Sequence, residues 1–372
     1  MAIPTLYALS RGILDWRNIG PAHWPKYKAS VANTIATITT VPDVTTIPSG
    51  TYSVGTLSTA FYGAVLLPDG RVFCVPYSSL TARIYDPVTD TLSTPNGTYP
   101  GSNAFLGGVL LKDGRVFCIP RDSITARIYD PVTNTLSTPN GTYPGSNAFN
   151  GGVLLADGRV FCIPRNSPTA RIYDPVTDTL STPNGTYPGS GTNAFNSGVL
   201  LPDGRVFCVP RDSLTSRIYD PVTDTLSIPS GTYPGSNAFS VGILLKDGRV
   251  FCVPRSSVNA RIYDPVTDTL STPSGTYPAN LSYLSGVLLP DGRVFCLPFN
   301  STSARIYDPA TDTLSTPSGT YPGTGSYIGA VSLLDGRTFC SPYNSNTALI
   351  YGVGVQKGFN KNVILSSYYN KI

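Results

Sequence analysis

The sequence is poor in the residues that most catalytic and metal sites use. Its 372 residues include one His, His23, and one Met, and all 22 acidic residues are Asp because Glu is absent. Without a second His, neither a His-based catalytic triad nor a His-rich metal cluster can form. Two Asp residues could hydrolyse glycosides, but within the repeats described below only Asp122 and Asp212 lie outside recurrent turns. We therefore expect no enzymatic activity, no cofactor and no bound metal ion.

Good helix formers are also scarce, whereas turn formers and strand formers are abundant. Glu is missing, whereas the chain has 36 Gly, 34 Pro and 23 Tyr. This composition is typical of an all-β protein with many turns. A hydrophobic content of 41% is enough for a substantial core, and no run approaches the ~18 apolar residues of a membrane span.

Positive charge is concentrated at the two ends of the chain. Residues 1–40 carry a net +3 and residues 354–372 another +3, so the total of +4 leaves about −2 for the segment between them. Nucleic-acid binding usually needs a strong basic patch, and none is evident here. We expect both tails to contact other proteins, and we expect no nucleic-acid partner.

The cysteines mark a repeat rather than a disulfide framework. Seven Phe-Cys pairs are separated by steps of 44, 44, 46, 44, 44 and 44 residues. They end at Cys74, Cys118, Cys162, Cys208, Cys252, Cys296 and Cys340. Because their number is odd and each stands at the same place in an apolar strand, we expect buried, reduced thiols. Reduced thiols favour folding in a reducing cytoplasm, and residues 1–15 show no secretory signal pattern.

Each repeat contains four short strand signals. In the second repeat, strand A is Gly-Gly-Val-Leu-Leu, strand B is Arg-Val-Phe-Cys-Ile-Pro, strand C is Ala-Arg-Ile-Tyr-Asp and strand D is Thr-Leu-Ser-Thr-Pro. Strand B is continuously apolar, which indicates burial on both faces. Four antiparallel strands repeated seven times predict a seven-bladed β-propeller.

The two ends of the repeated region complement each other. Residues 42–52 match the fourth strand of a repeat, while the seventh repeat diverges after its third strand, near Tyr351. We therefore expect an N-terminal strand to complete the last blade and close the ring, which removes an exposed sheet edge. The predicted division is an N-terminal arm at 1–40, the propeller at 41–353 and a C-terminal tail at 354–372.

Residues 66–73, Leu-Leu-Pro-Asp-Gly-Arg-Val-Phe, and the Ala-Arg-Ile-Tyr-Asp-Pro segment that starts at Ala82 resemble Kelch repeats and the galactose-oxidase-type propeller. Two features depart from the Kelch pattern. Strand B ends in Cys-x-Pro instead of Gly-Gly, and Leu92 stands where Kelch repeats usually carry Trp. A galactose-oxidase-like copper site would need several His ligands, which the repeats lack. The near-identical blades also resemble those of phage tail and giant-virus particle proteins.

The Asp-Gly-Arg turn between strands A and B occurs in every repeat. Asp-Gly supplies the hairpin turn, and the Arg begins strand B beside the place where strand C ends in Asp. In the first blade these residues are Arg71 and Asp86. We expect an ion pair between them, and the same pair in blades two to six.

The residue that follows strand B changes around the ring. It is basic in blades two to five and aromatic in blades six, seven and one, which are contiguous in a closed ring. The residues are Arg121, Arg165, Arg211, Arg255, Phe299, Tyr343 and Tyr77. The loops between successive repeats open on the same face and also vary, with an Asn/Ser/Gly/Tyr mixture typical of adaptable binding loops. Either these loops have drifted without constraint, or this face binds a ligand, with aromatic rings suited to sugars or protein surfaces.

Taken together, these features predict a non-enzymatic display or assembly module. The leading hypothesis is a virion structural component, such as a tail, fibre or capsid-associated protein, whose loop face attaches to a surface glycan or protein receptor. The arm would anchor it to other structural proteins through Trp16 and Trp24. The alternative is a free carbohydrate- or protein-binding propeller of the lectin or Kelch adaptor type.

Overall fold

The computed structural model describes residues 44–52, 59–188 and 191–352, and these residues form seven four-stranded antiparallel sheets. The sheets are arranged radially as the blades of a β-propeller, as the sequence predicts. Strand A of each blade packs against strand A of the next, including blade seven against blade one, so the ring is closed. The predicted arm at 1–40, with Trp16, Trp24 and His23, and the predicted tail at 354–372 lie outside the described residues.

The strands recur at nearly constant length, and we refer to them by letter from the channel outward. The A strands are Phe61–Leu66, Phe105–Leu110, Phe149–Leu154, Phe195–Leu200, Phe239–Leu244, Tyr283–Leu288 and Tyr327–Ser332. The B strands are Val72–Pro76, Val116–Pro120, Val160–Pro164, Val206–Pro210, Val250–Pro254, Val294–Pro298 and Thr338–Pro342. The C strands are Arg83–Asp86, Arg127–Asp130, Arg171–Asp174, Arg217–Asp220, Arg261–Asp264, Arg305–Asp308 and Leu349–Tyr351. The D strands are Thr91–Ser93, Thr135–Ser137, Thr179–Ser181, Thr225–Ser227, Thr269–Ser271, Thr313–Ser315 and, for blade seven, Thr45–Thr46. The predicted D strands are too long, because the Pro expected at their end lies two residues beyond them.

Strand Thr45–Thr46 closes the ring. It pairs antiparallel with the C strand of blade seven, Thr45 opposite Tyr351 and Thr46 opposite Ile350. The amide of Gly352 adds a hydrogen bond to the carbonyl of Val44 at 2.7 Å. The predicted closure by an N-terminal strand is therefore confirmed, and the C strand of blade seven is covered along its outer edge.

The core lies between the blades. Every residue of every B strand is buried, which confirms the two-sided burial predicted from their apolar sequence. The Phe of each B strand stacks on the Tyr of the next blade's C strand, as Phe161 does on Tyr219 with centroids 4.7 Å apart. The seventh stack joins Phe339 to Tyr85 and so bridges the closure. Aromatic pairs of this kind contribute about 0.5–1.5 kcal/mol each beyond their buried area.

The seven cysteines take part in this packing as small apolar groups. All are fully buried and unpaired, as expected from their strand position. Burial disfavours the thiolate and raises the pKa of Cys118 to about 12.

The A strands approach one another closely around the channel. A Cβ on Gly329 of blade seven would lie 2.6 Å from the Cα of Gly63 in blade one. Gly63 itself has a φ of +91°, which side chains disfavour. Glycine at these positions lets the innermost strands approach each other closely.

Candidate ligand-binding site

The face built from Asp-Gly-Arg and Asp-Pro turns satisfies its own polar groups. Nε of Arg71 lies 2.6 Å from Oδ2 of Asp69, in the same turn, and the equivalent contact recurs in all seven blades. The predicted ion pair between Arg71 and the strand C residue Asp86 is therefore wrong. The turn bends the carboxylate of Asp69 back to the start of strand B, where it also accepts a hydrogen bond from the amide of Arg71. Asp86 instead caps its own turn by accepting the amide of Val88 at 2.8 Å.

The last residue of the C–D turn, which is Asn134 in blade two and Asp in blades one and three to six, links neighbouring blades. Oδ1 of Asp312 accepts hydrogen bonds from the hydroxyl of Tyr307 at 2.9 Å and from the amide of Ser274 in the preceding blade at 3.0 Å. Oδ2 accepts from the Ser274 hydroxyl at 2.8 Å. These bonds, led by the Ser274 amide, lower the pKa of Asp312. These Asp side chains thus have a structural role, and among the described residues no group of three His, Cys, Asp or Glu side chains could hold a metal ion.

The opposite face carries the residues that change around the ring, and the backbone holds them rigidly. We call the residue after each B strand the ring position. At Arg211 the amide donates to the carbonyl of Ala194 in its own blade, and the carbonyl accepts from Ala238 of the next, both at 2.8 Å. The same two-sided pattern holds from Tyr77 onward through blade six. The ring-position side chains therefore project from a fixed frame that ties each blade to its neighbour.

Four aromatic residues on this face form one cluster, the aromatic arc. It contains the three predicted residues Tyr77, Phe299 and Tyr343, together with Tyr62 of strand A. Tyr62 lies 5.5 Å from Tyr77 and 6.0 Å from Tyr343, measured between ring centroids. Phe299 lies 5.7 Å from Tyr343. Tyr77 is buried, with only 8% of its surface exposed, so it supports the cluster while Tyr62, Tyr343 and Phe299 keep partial exposure.

The four arginines at Arg121, Arg165, Arg211 and Arg255 form the basic arc. Arg121 joins the two arcs, since its guanidinium lies 5.2 Å over the Tyr77 ring and donates to the Tyr77 hydroxyl. It also donates to Asn147 and pairs with Asp122 at 3.3 Å. Arg121 is thus occupied by partners of its own.

The next two arginines each use one nitrogen to hold a loop. Nε of Arg165 donates to Asn193 at 2.9 Å, and Nε of Arg211 donates to Asn237 at 2.7 Å. These Asn residues adopt positive φ, 43° and 60°, which Asn tolerates better than most residues. The Asn residues of these loops therefore position the arginines. Their presence has a structural explanation beside the predicted one, adaptable ligand binding.

Two buried donors of the basic arc have no acceptor within the described part of the chain. They are Nη1 of Arg211, a residue that is 8% exposed, and Nε of Arg255. Leu281 follows blade five at the position where Asn237 follows blade four, so Arg255 lacks the acceptor that Arg211 has. A buried donor without an acceptor costs about 1–3 kcal/mol, and more when it is charged.

The arginine side chains of the basic arc interact with one another electrostatically. Burial, and after it the neighbouring charge of Arg211, lowers the pKa of Arg165 to about 10. Burial and then the charge of Arg255 lower the pKa of Arg211. Tyr62 of blade one also interacts electrostatically with Arg211 of blade four, across the ring. Four guanidinium groups face two carboxylates, Asp122 and Asp212, leaving a net charge of +2 among these side chains.

The second residues of the A strands are polar on one side of the ring and apolar or aromatic on the other, as the loop face is basic on one side and aromatic on the other. The second residue of strand A is polar below most of the basic arc, at Asn150, Asn196 and Ser240, and these three are linked by hydrogen bonds. It is apolar or aromatic in the other blades, at Leu284, Ile328, Tyr62 and Leu106. Tyr62 was not predicted as a site residue. This strand A position also varies from blade to blade, as the ring position does, and that variation could have identified it. We call the part of the loop face formed by both arcs the central basin.

Comparison with known proteins establishes the fold alone. No protein-family model matches the chain, and no curated protein matches it. A catalytically inactive virginiamycin B lyase from Staphylococcus aureus, solved with quinupristin, superposes with a TM-score of 0.69 at 8% identity, over 83% of this chain and 100% of the lyase. A fungal alcohol oxidase of the AA5 family, in complex with copper, gives 0.60 at 13% identity over 82% and 76%. The extracellular domain of a putative hybrid two-component system from B. thetaiotaomicron gives 0.63 at 14% identity over 84% and 40%.

The class that fold and comparisons define is the seven-bladed β-propeller. The three similar structures come from bacteria and a fungus, so they lend no support to the resemblance with phage and giant-virus particle proteins. Their identities of 8–14% carry neither the lyase nor the oxidase activity over to this chain. No helix in the described residues is long and apolar enough to cross a membrane.

Proposed function

We propose that the protein is a non-enzymatic binding module whose central basin captures a ligand from a surface. The observation that carries this proposal is the presence of unpartnered buried donors on Arg211 and Arg255 beside a partly exposed aromatic cluster. Buried arginines are almost always paired, so two unpaired guanidinium nitrogens, unlike the unpaired hydroxyl of Tyr143, favour a site for an anionic ligand. Aromatic walls and a few convergent polar groups are the usual lining of ligand pockets.

The contrast between the two faces supports the same proposal. On the turn face, each Arg of the Asp-Gly-Arg turns is paired with its own Asp. On the loop face, Arg165 and Arg255 have no carboxylate within ion-pair distance among the described residues. The frame of blade-to-blade hydrogen bonds pre-organises the loop-face side chains, which reduces the entropic cost of binding.

We further propose that the module belongs to a virus particle, as a tail, fibre or capsid-associated protein. The support is the resemblance of its near-identical blades to such proteins and the presence of two unrepeated basic segments, 1–40 and 354–372, suited to attachment. The copper oxidase of similar fold agrees with the galactose-oxidase-type resemblance of the repeats. The alternative is a free lectin-like or Kelch-adaptor-like propeller.

The test uses the full chain, a chain lacking residues 1–40, and two point variants. A particle component co-purifies with virions in fixed proportion and loses that association without residues 1–40, while the ring remains folded. Capture of the host surface or of a glycan array should survive this truncation but be lost in Tyr343→Ala. The matched control is Val176→Ala, which alters an exposed side chain on the turn face.

The outcomes separate the two roles. Capture that depends on Tyr343, without any association with particles, supports the free binding propeller. Capture that is equal in Tyr343→Ala and Val176→Ala contradicts the basin as the binding site. Turnover of a substrate by the purified chain would contradict a non-enzymatic role.

A further inference from the structure

The basic arc carries more positive charge than the neighbouring carboxylates neutralise. Arg121 is occupied by Asn147, Tyr77 and Asp122, and Asp212 lies 3.9 Å from Arg211. Arg165 and Arg255 have no carboxylate partner within the described ranges. Like charges gathered in a partly buried site favour an anion strongly, because an opposite charge relieves their mutual repulsion.

The open donors point to where an anion would sit. Nη1 of Arg211 and Nε of Arg255 are both buried and both lack an acceptor within residues 44–52, 59–188 and 191–352. Nη1 of Arg255 approaches Oδ1 of Asn196, in the channel wall, at 3.5 Å, which places this guanidinium at the channel mouth. Guanidinium groups recognise planar or tetrahedral oxyanions through charge-assisted, often paired, hydrogen bonds.

The opposite side of the basin offers apolar ring faces instead. Tyr62, Tyr343 and Phe299 are each partly exposed. The ring centroid of Tyr343 lies 6.0 Å from that of Tyr62 and 5.7 Å from that of Phe299. A ligand that spans the basin therefore meets guanidinium groups on one side and aromatic rings on the other. This arrangement fits a compact ring that carries an acidic group.

A peptide fits the basin less well. The backbone amide and carbonyl of Arg211 are both used within the ring frame, and Arg255 shows the same pattern. Extended peptides usually gain affinity from main-chain hydrogen bonds, and the main-chain groups of Arg211 and Arg255 are already used. Recognition here relies on side chains, which suits a sugar.

We propose, on the basis of the binding role inferred above, that the central basin binds an acidic sugar. Its carboxylate or sulfate is held by Arg165, Arg211 and Arg255, and its ring rests on Tyr62 and Tyr343. Leu281, by withholding an acceptor from Arg255, keeps one donor open for the ligand.

The chain provides matched controls, because an arginine stands at each end of the relevant B strands. Arg255 and Arg249 flank Val250–Pro254, and Arg211 and Arg205 flank Val206–Pro210. Only the second arginine of each strand lies in the basin. The test is calorimetric titration of the full chain and of Arg255→Met, Arg249→Met, Arg211→Met and Arg205→Met. The probes are uronate, sialic acid and sulfated glycosides, each beside its neutral counterpart, together with an Asp-rich peptide and inorganic sulfate.

We expect at least one acidic glycoside to bind more tightly than its neutral counterpart, and more weakly as salt rises. Arg255→Met and Arg211→Met should each weaken this binding about tenfold or more, as expected for loss of a charge-assisted hydrogen bond. Arg249→Met and Arg205→Met should leave it unchanged. The melting temperature of Arg255→Met should be no lower than that of the native chain, so that loss of binding cannot be attributed to unfolding.

Several results would overturn the inference. They are equal binding of acidic and neutral glycosides, tighter binding of the Asp-rich peptide than of any sugar, and binding of inorganic sulfate as tight as that of a sulfated sugar. If acidic glycosides fail while Tyr343-dependent surface capture persists, the acidic-sugar inference is wrong and the binding role stands. If capture is also independent of Tyr343, the binding role itself fails.

Discussion

Leu281 occupies, beside Arg255, the position from which Asn237 accepts a hydrogen bond from Nε of Arg211. One substitution between otherwise similar loops thus leaves a buried guanidinium nitrogen open. Leu281 also has a φ of +57°, a conformation that Asn tolerates better than Leu. The site is therefore built at a local cost in stability, a common feature of functional positions.

Replacing Leu281 with Asn should stabilise the protein. The new side chain can accept from Nε of Arg255 and relieves the positive-φ strain, so we expect a gain of about 0.5–1.5 kcal/mol in the free energy of unfolding. Denaturant titration measures this directly. The control is Leu284→Asn in strand A, which introduces an amide at a buried channel position and should destabilise. A Leu281→Asn variant less stable than the native chain would show that Arg255 already has a partner.

The tyrosine that precedes blade three should tolerate loss of its hydroxyl. The hydroxyl of Tyr143 is buried with no hydrogen-bond partner in the described structure, so Tyr143→Phe should leave stability unchanged or raise it. The hydroxyl of Tyr173, by contrast, donates to Asp178 at 2.8 Å. Tyr173→Phe should therefore lose about 1 kcal/mol. Equal losses in both variants, measured by thermal or chemical unfolding, would contradict this distinction.

The seven thiols should be chemically silent in the folded protein. Burial raises the pKa of Cys162 to about 12 and shields the thiol from solvent. At neutral pH the thiol is therefore protonated and a reagent cannot reach it. An alkylating reagent at pH 8 should modify none of the cysteines in the native chain and all seven after unfolding in denaturant. Rapid native modification of even one of them would show that a blade opens locally.

Acid should weaken the contacts between blades. The amide and hydroxyl of Ser274 lower the folded-state pKa of Asp312, so this carboxylate stabilises the fold above its unfolded pKa near 4 and loses that contribution as pH falls toward the lower folded value. Asp220, whose pKa is lowered by the amide of Val222, acts in the same direction. The melting temperature should therefore decrease as the pH is lowered below about 4.

Asp312→Asn isolates this effect, because an Asn cannot titrate. Asn134 already fills the equivalent position in blade two and accepts from Tyr129 and from the amide of Asn96. We expect Asp312→Asn to be slightly less stable at neutral pH, since it loses the bond from the Ser274 hydroxyl, and to show a shallower acid dependence. An unchanged acid dependence would assign the loss of stability to other carboxylates.

The architecture follows from sequence because the repeat leaves few alternatives. A 44-residue period, a fully apolar B strand and Asp-Gly turns define four-stranded blades, and the split seventh repeat defines the closure. The partner of Arg71 could not be read this way. Two Asp residues, Asp69 and Asp86, were available, and turn geometry selected the one nearer in sequence.

The candidate site was only partly visible in the sequence. The ring-position arginines and aromatics could be found because they vary within an otherwise regular repeat. That Tyr77 is buried, that Tyr62 joins the aromatic arc, and that Arg255 lacks an acceptor all depend on side-chain packing across the ring. Tyr62 of blade one is more than one hundred positions in sequence from Arg211 and Arg255 of blades four and five, and only the closed ring brings them to one basin.

The proposed ligand site is the basin formed by Arg211, Arg255 and the aromatic arc. A crystal structure of the full chain, grown with the tightest-binding acidic glycoside from the titration panel, tests it. We expect the acidic group on Nη1 of Arg211 and Nε of Arg255, with the sugar ring against Tyr343. A glycoside bound on the turn face or the outer rim of the blades, with these two nitrogens still unpaired, would contradict the proposed site.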